Sequence, residues 1–196
     1  CVNFAEGQQV NLMLSMSHIP SRIGTSGFAC TEQVQAGDGF AAQRLSTYLS
    51  PLGCSLDADA FRLALPSQEL EEARSSQPPG DGPMLILAPS SEDQDWPPER
   101  WLALPKSIST RLATLRSSTL DPGLPMRRRA AAVACADVIL SSCAMTQRLA
   151  VYFGIPLVAL GATPTDFPPR GDIRCLGVRS DLASLTEQEV LDALGF

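Results

Sequence analysis

Residues 136–161 read ADVILSSCAMTQRLAVYFGIPLVALG, and this stretch decides the fold. Its two apolar runs, at 137–140 and 156–160, are typical of short strands buried on both faces of a parallel sheet. Residues 146–153 lie between the runs and place Leu149 and Phe153 one turn apart, which predicts a helix. The stretch therefore predicts a strand–helix–strand unit, from which doubly wound sheets are built.

The same alternation continues upstream of this unit. Residues 84–87 form another short apolar run that predicts a buried strand, and Pro98 is well suited to a helix start. Residues 112–120 then predict a strand and residues 126–136 a helix. We therefore expect an α/β fold with a doubly wound, Rossmann-like parallel sheet in residues 83–196.

A linker separates this region from the front of the chain. Residues 76–82 read SQPPGDG and are rich in the residues that form turns and linkers. Upstream of them, helical spacing of apolar residues or a helix-forming composition occurs at 8–17, 41–52 and 68–74. We therefore assign residues 1–75 to a first domain, 76–82 to a linker and 83–196 to a second domain.

The charge of the chain argues against nucleic-acid binding. Its 196 residues include 21 acidic and 15 basic residues, for a net charge of −6. Because 127–129 is the only basic run, we expect no nucleic-acid partner. The run is most simply interpreted as a solvated face, and the alternative is an arginine near a pyrophosphate. Because His18 is the only histidine, the chain offers little material for a metal site or a Ser-His-Asp triad, and we expect no metal.

The cysteines and the apolar segments indicate the cellular compartment. The six cysteines contain no C-x-x-C pair, which is typical of reduced cysteines in a cytosolic protein. No apolar stretch approaches the roughly 20 residues of a membrane span, and no signal peptide is recognisable. We therefore expect a cytoplasmic location. The chain starts at Cys1, inside what reads as a structural element, so we expect further residues upstream.

Three loops follow predicted strands, after Leu87, Leu140 and Leu160. Loops at the carboxyl ends of parallel strands lie at one edge of the sheet, where ligands of such folds bind. Their candidate binding residues are, in chain order, Ser90 and Ser91, then Ser142, Cys143, Ala144, Met145 and Thr146, then Gly161, Thr163, Thr165 and Asp166.

The chemistry of these loops suggests an anion and a sugar. Hydroxyls and backbone amides in the first two loops, just before a helix start, suit phosphate oxygens. The third loop offers donors and acceptors for a sugar or a ribose. The alternatives are an ordinary Pro-Ser turn, Thr146 as a simple N-cap and a Pro-stiffened surface loop. Cys143 as a nucleophile is a further alternative, although the chain has no second histidine, besides His18, to activate it.

Several segments resemble glycosyltransferase family 9, the ADP-heptose:lipopolysaccharide heptosyltransferases. In that family a Trp-Pro-x-Glu-Arg run opens the C-terminal domain, and a strand–loop–helix–strand segment holds the nucleotide phosphates. The similar segments here are 21–24, 86–91, 96–101, 136–141 and 149–161. The resemblance implies a GT-B fold, in which residues 83–196 bind the nucleotide sugar and residues 1–75 are the remainder of an acceptor-side, N-terminal domain.

The phosphate loop of this chain departs from the family pattern, which usually reads Asp-Thr-Gly-Pro-x-His-Leu-Ala. Aligned on its Leu-Ala pair, the chain has Cys143 at the acid, Met145 at the glycine and Arg148 at the histidine. The resemblance thus adds Arg148 to the candidate phosphate ligands, as a substitute for the lost histidine. The family's proposed catalytic base would precede Cys1, so no catalytic residue is assigned.

The resemblance implies an inverting transfer of a sugar, expected to be heptose. The donor would be an ADP-sugar, used without a cofactor, and the acceptor a lipopolysaccharide core or a related glycan or glycolipid. We expect a monomer with peripheral association at the inner face of the cytoplasmic membrane. The alternatives are a noncatalytic, degenerate nucleotide-binding module, another GT-B enzyme such as an NDP-sugar epimerase, and an oligomerisation domain.

Overall fold

The computed structural model describes residues 1–4, 7–25, 27–35, 40–57, 62–92 and 94–196. The chain divides into two compact units, Cys1–Phe61 and Arg62–Phe196. The linker predicted at 76–82 therefore lies inside the second unit, and the division falls earlier than the sequence suggested. The assignment of residues 1–75 to an acceptor-side domain stays a prediction.

The described residues of the first unit form a small parallel sheet and two α-helices. Its elements are β1 (Val2–Asn3), α1 (Gln8–Met16), β2 (Ile23–Gly24), β3 (Glu32–Gln33) and α2 (Ala41–Leu49). The strands pair in the order β1-β2-β3, and all are parallel. The helix predicted at 41–52 ends in a 3₁₀ turn at Ser50–Leu52, because Pro51 lacks the amide that would continue α2.

The second unit contains one five-stranded sheet. Its elements are α3 (Ser67–Ser75), β4 (Met84–Ala88), α4 (Pro98–Ser109), β5 (Arg116–Thr119), α5 (Met126–Ala134), β6 (Val138–Ser141), α6 (Ala144–Phe153), β7 (Leu157–Leu160), β8 (Ile173–Leu176) and α7 (Glu187–Leu194). All strands are parallel, in the order β5-β4-β6-β7-β8. The doubly wound, Rossmann-like sheet predicted from the sequence is confirmed.

Helices cover both faces of this sheet. Helix α5 packs against α6 and α3, whereas α4 packs against α7, and right-handed crossovers place these two groups on opposite faces. Strands β4 and β7 are buried along their whole length, as their continuous apolar runs predicted. Helix α3 belongs to the second unit because it packs on α5, where Glu69 accepts hydrogen bonds from Arg127.

The two tryptophans lie in the core between the sheet and helices α4 and α7. Trp96 is fully buried, and its indole N–H donates to the Leu185 carbonyl at 2.8 Å. The Trp101 ring meets the Trp96 ring edge to face at 5.3 Å. The prediction that both rings are packing residues, and not stacking platforms for a ligand, is confirmed.

Several element boundaries differ from the sequence prediction, and four strands, β1, β2, β3 and β8, were not predicted. The strand predicted at 112–120 is limited to β5, which ends before Leu120. Helix α6 begins at Ala144, two residues earlier than expected. Strand β8 was not predicted, because its exposed Arg174 and half-buried neighbours form no apolar run.

Candidate functional site

The strand order of the second unit defines a switch point between β4 and β6. The chain passes from β4 to β5 on one side, and then crosses back to β6 on the other side. In open α/β sheets, ligands bind where the connections diverge in this way, outside the carboxyl ends of the strands. The loops that follow β4 and β6 are therefore the structural candidates for a binding site.

These two loops are hydrogen-bonded to each other. The Ser90 amide donates to the Ser142 hydroxyl at 2.9 Å and to the Asp95 carboxylate at 2.8 Å. The Ser90 hydroxyl in turn accepts from the Glu92 amide. The Ser90 amide is therefore already engaged, which corrects the expectation that it is available for phosphate. Ser91 beside it is exposed and stays a candidate contact.

The second loop ends at the amino terminus of α6. Cys143 is the N-cap, makes no side-chain capping bond, and precedes a first turn that contains no acidic residue. Ala144 and Met145 follow it and are exposed. The first amides of a helix have no intrahelical acceptor and carry a partial positive charge, so this end of α6 is suited to an anion.

Two predicted phosphate ligands in this loop are buried. Ser142 and Thr146 are fully inaccessible, so their side chains cannot touch a ligand in this structure. The Ser142 amide donates to the Ala88 carbonyl at 3.2 Å, and the Thr146 hydroxyl accepts from Arg129 at 3.1 Å. Thr146 is the third residue of α6 and not its N-cap. Both residues therefore stabilise the loop through hydrogen bonds inside the protein.

Arg129 corrects the interpretation of the basic run as a solvated face. Its side chain is buried, whereas Arg127 and Arg128 are exposed. Its guanidinium donates to the Thr146 hydroxyl and to the carbonyls of Asp121 and Pro122. Within the described part of the chain it forms no ion pair with a carboxylate. A buried positive charge therefore lies against the first turn of α6.

A second arginine at this edge was missed by the sequence analysis. Arg179, at the start of the 3₁₀ helix Arg179–Ser184 after β8, donates to the Ser142 carbonyl at 2.8 Å. The two residues are 37 positions apart. No local sequence signal marks Arg179, since it follows a strand that the sequence did not predict.

The third loop approaches the same edge. Gly161 has a φ of 71°, and a Cβ at this position would lie 3.1 Å from the Arg179 Cα. A side chain here would be strained by the backbone conformation and would crowd the Arg179 backbone. The three loops predicted to converge do lie at one edge, with Arg179 between the second and the third.

Polar side chains of the third loop bond to one another in a short 3₁₀ helix, Pro164–Asp166. The Thr163 amide and hydroxyl both donate to the Asp166 carboxylate, at 2.9 and 2.8 Å. These bonds hold the pKa of Asp166 below its ordinary value, and the nearby charge of Arg148 on α6 lowers it further. Thr163, Thr165 and Asp166 are exposed, so an ionised acceptor and two hydroxyls face solvent beside α6.

The Asp166 pKa provides a test of this geometry. In a Thr163→Val variant, the pKa of Asp166 should rise towards its ordinary value of 3.8, because both bonds to its charged form are weakened or lost. A depressed pKa contributes stability above the unfolded-state pKa that is lost as the pH falls through the folded-state pKa. The variant should therefore lose less stability on acidification than the wild type.

Carboxyl NMR titration measures this pKa directly. Thr165→Val is the matched control, because Thr165 does not donate to Asp166 and both bonds from Thr163 remain. An Asp166 pKa that is the same in the wild type and in Thr163→Val would contradict the capping geometry.

A separate cavity of about 880 Å³ lies between α3, α5, β4 and β5. Its lining includes Met84, Ile86, Leu120, Glu69 and Arg127. Glu69 and Arg127 pair with each other, and this ion pair holds the Glu69 pKa below its ordinary value. None of the three strand-end loops predicted as binding loops contributes to the cavity, so we do not assign the ligand site to it.

Neither a metal-binding cluster nor a membrane-spanning helix occurs among the described residues. Among them, no group of three or more His, Cys, Asp or Glu side chains is arranged to hold a metal ion. No helix in the described ranges is long and apolar enough to cross a membrane.

The fold is similar to that of several solved glycosyltransferases. A glycosyl transferase family 9 structure from Veillonella parvula DSM 2008 has a TM-score of 0.69 at 14% identity, with 99% of this chain and 72% of that chain covered. The structure of E. coli ADP-heptose lps heptosyltransferase II has a TM-score of 0.67 at 16% identity, and the match covers 99% of this chain and 74% of that chain. The structure of E. coli heptosyltransferase WaaC with ADP-2-deoxy-2-fluoro heptose has a TM-score of 0.57 at 13% identity, and the match covers 89% of this chain and 64% of that chain.

No protein-family model matches the sequence, and no curated protein matches it significantly. At identities of 13–16%, the structural similarity establishes a shared fold. The GT-B type of fold implied by the sequence resemblance is therefore confirmed.

Proposed function

We propose that this chain is a member of glycosyltransferase family 9 and that its second unit binds a nucleoside-diphosphate sugar at the carboxyl edge of the five-stranded sheet. The observation that carries the proposal is the switch point between β4 and β6, where the uncapped amino terminus of α6 lies between two arginines, Arg129 and Arg179. This positively charged edge suits the diphosphate of such a donor.

The reaction that follows is an inverting transfer. A carboxylate of the acceptor side removes a proton from an acceptor hydroxyl, which attacks the anomeric carbon as the nucleoside diphosphate leaves. The second unit contributes by stabilising the negative charge that develops on the leaving group. We assign this task to the Ala144 and Met145 amides at the start of α6, and Arg148 is exposed on the next turn.

The third loop is assigned to the sugar or the ribose of the donor. Its exposed hydroxyls and ionised Asp166 suit hydroxyl groups better than phosphate. WaaC, which shares the fold, was solved with ADP and with ADP-2-deoxy-2-fluoro heptose. This supports an ADP-sugar donor with heptose as the transferred sugar. The name of the similar E. coli ADP-heptose lps heptosyltransferase II supports a lipopolysaccharide core or related glycolipid as the acceptor.

We propose that the protein is a cytoplasmic monomer that associates peripherally with the inner face of the membrane, because such a protein can reach this acceptor. The donor is the only small molecule that the proposed reaction requires, and no cofactor takes part.

A noncatalytic nucleotide-binding module is the second candidate function. It is favoured by Cys143, Met145 and Arg148, which stand where the family pattern has an acid, a glycine and a histidine. Such a module would retain donor affinity through α6 and its arginines but would not transfer the sugar.

Binding and transfer assays separate the two candidates. Thermal unfolding with ADP, UDP and GDP comes first, because a ligand at one hundred times its Kd stabilises the folded state by about 2.7 kcal/mol. The corresponding nucleotide-heptose is then incubated with a heptose-deficient lipopolysaccharide core, and the product is followed by mass spectrometry. Stabilisation by one nucleotide with transfer supports the enzyme, and stabilisation without transfer supports the binding module. No stabilisation by any nucleotide rejects both.

A further inference from the structure

Arg179 has more hydrogen-bonding capacity than the protein uses. A guanidinium carries five N–H donors. Its Nη1 donates to the Ser142 carbonyl, but within the described residues neither its Nε nor its Nη2 has an acceptor. The side chain is 32% exposed, and its unused donors are not among the buried polar atoms that lack a partner, so they are accessible to a ligand from solvent. They lie at the switch-point edge, beside the loop that leads into α6.

The one carboxylate near Arg179 in the described structure is a weak partner. Glu92 approaches it to 3.8 Å, near the limit of an ion pair, and the Glu92 side chain is 63% exposed. Exposed pairs of this kind contribute little, because solvent screens them and both side chains lose entropy. Glu92 also belongs to the loop after β4, the first of the predicted phosphate loops. An incoming anion can therefore replace its carboxylate.

The surroundings of Arg179 favour an anion with more than one charge. The buried Arg129 guanidinium and the positive end of α6 already lie at the same loop, and the first turn of α6 contains no acid. Burying a charge without an opposite charge is costly, and a cation beside a helix amino terminus adds to that cost. A bound polyanion would offset both terms.

We propose that Arg179 binds the diphosphate of the donor, and that Glu92 occupies its guanidinium until the diphosphate displaces it. The inference rests on the proposed function and adds to it the residue that selects the diphosphate. A guanidinium fork presents two parallel N–H groups to a pair of phosphate oxygens, which a lysine cannot do. Arg179 therefore brings a positive charge to the diphosphate from the loop after β8. This loop lies outside the segment that resembles the family's phosphate loop.

Inorganic pyrophosphate is the probe, because it contains the proposed group without a base or a sugar. Isothermal titration should show that Arg179→Met weakens pyrophosphate binding by about 10-fold or more, through loss of charge-assisted hydrogen bonds. Arg128→Met removes the same charge from an exposed position on α5, and its affinity should stay within about twofold of wild type. Arg179→Lys keeps the charge without the fork and should fall in between.

Glu92→Gln provides an opposite expectation. It should strengthen pyrophosphate binding by about two- to fivefold, because the competing carboxylate is neutralised. A purely structural role for the Arg179 side chain would not produce this gain. If Arg179→Met does not fold, the pair Arg179→Lys and Glu92→Gln tests the same exchange.

Three outcomes overturn the inference: wild-type protein that does not bind pyrophosphate, equal binding by wild type and Arg179→Met, or weaker binding by Glu92→Gln. Failure of the proposed function looks different. Pyrophosphate binding that depends on Arg179, without affinity for any nucleoside diphosphate and without sugar transfer, would uphold the anion site and reject the glycosyltransferase.

Discussion

An Ala144→Trp variant should fold normally and lose at least about 100-fold in affinity for the nucleoside diphosphate that stabilises the wild type. Ala144 is the first residue of α6 and is exposed, so the larger side chain finds space in solvent. It would cover the amides that we assign to the diphosphate. Losing two hydrogen bonds to a charged group, at about 1.5 kcal/mol or more each, corresponds to this factor.

The control for this variant is Ala103→Trp, at an exposed position on α4. It adds the same indole surface away from the three strand-end loops and should leave the affinity unchanged. Isothermal titration measures both variants, and a thermal melt without nucleotide checks their folding. If Ala144→Trp binds the nucleotide as the wild type does, the diphosphate is not at the amino terminus of α6.

A Trp96→Ala variant should lower the free energy of unfolding of the second unit by about 3–5 kcal/mol. Trp96 is fully buried between the sheet and helices α4 and α7, and its truncation leaves a cavity that the packed neighbours cannot fill. It also removes the donor to the Leu185 carbonyl. Urea unfolding followed by far-UV circular dichroism measures the change.

Leu102→Ala is the control for Trp96→Ala. Leu102 lies on α4 but is 81% exposed, so its truncation should cost no more than about 0.5 kcal/mol. Trp96→Phe should fall between the two, because it keeps most of the ring and loses the N–H. A Trp96→Ala variant that unfolds within about 1 kcal/mol of wild type would show that this ring does not hold the core together.

Strands with continuous apolar runs could be predicted from the sequence because burial on both faces leaves a direct compositional signal. Met84–Ala88 and Leu157–Leu160 carry that signal, and both are strands. Strand β8 carries none, because it is an edge strand with Arg174 exposed. The doubly wound class of the fold followed from the apolar runs, and the missing β8 changed only the edge of the five-stranded sheet. The three short strands of the first unit were not predicted.

The candidate site could be predicted only in part. The convergence of the strand-end loops follows from the parallel sheet, and the sequence therefore predicted that these loops share one edge. It did not reveal that Ser142 and Thr146 are buried, since a hydroxyl in a loop is compatible with either a ligand or an internal partner. Arg129 and Arg179 were missed because their contacts join residues 17 and 37 positions apart, which no local pattern encodes.

The most direct measurement is a map of amide chemical-shift changes across the chain during titration with ADP, followed by two-dimensional NMR. We expect the largest changes at residues 143–145 and 161–166, with smaller ones around Arg179, because these amides surround the proposed diphosphate and ribose. The contradictory result is a set of changes confined to the cavity between α3 and α5, or no change at saturating ADP, UDP and GDP. Either result would mean that the carboxyl edge of this sheet is not a nucleotide site.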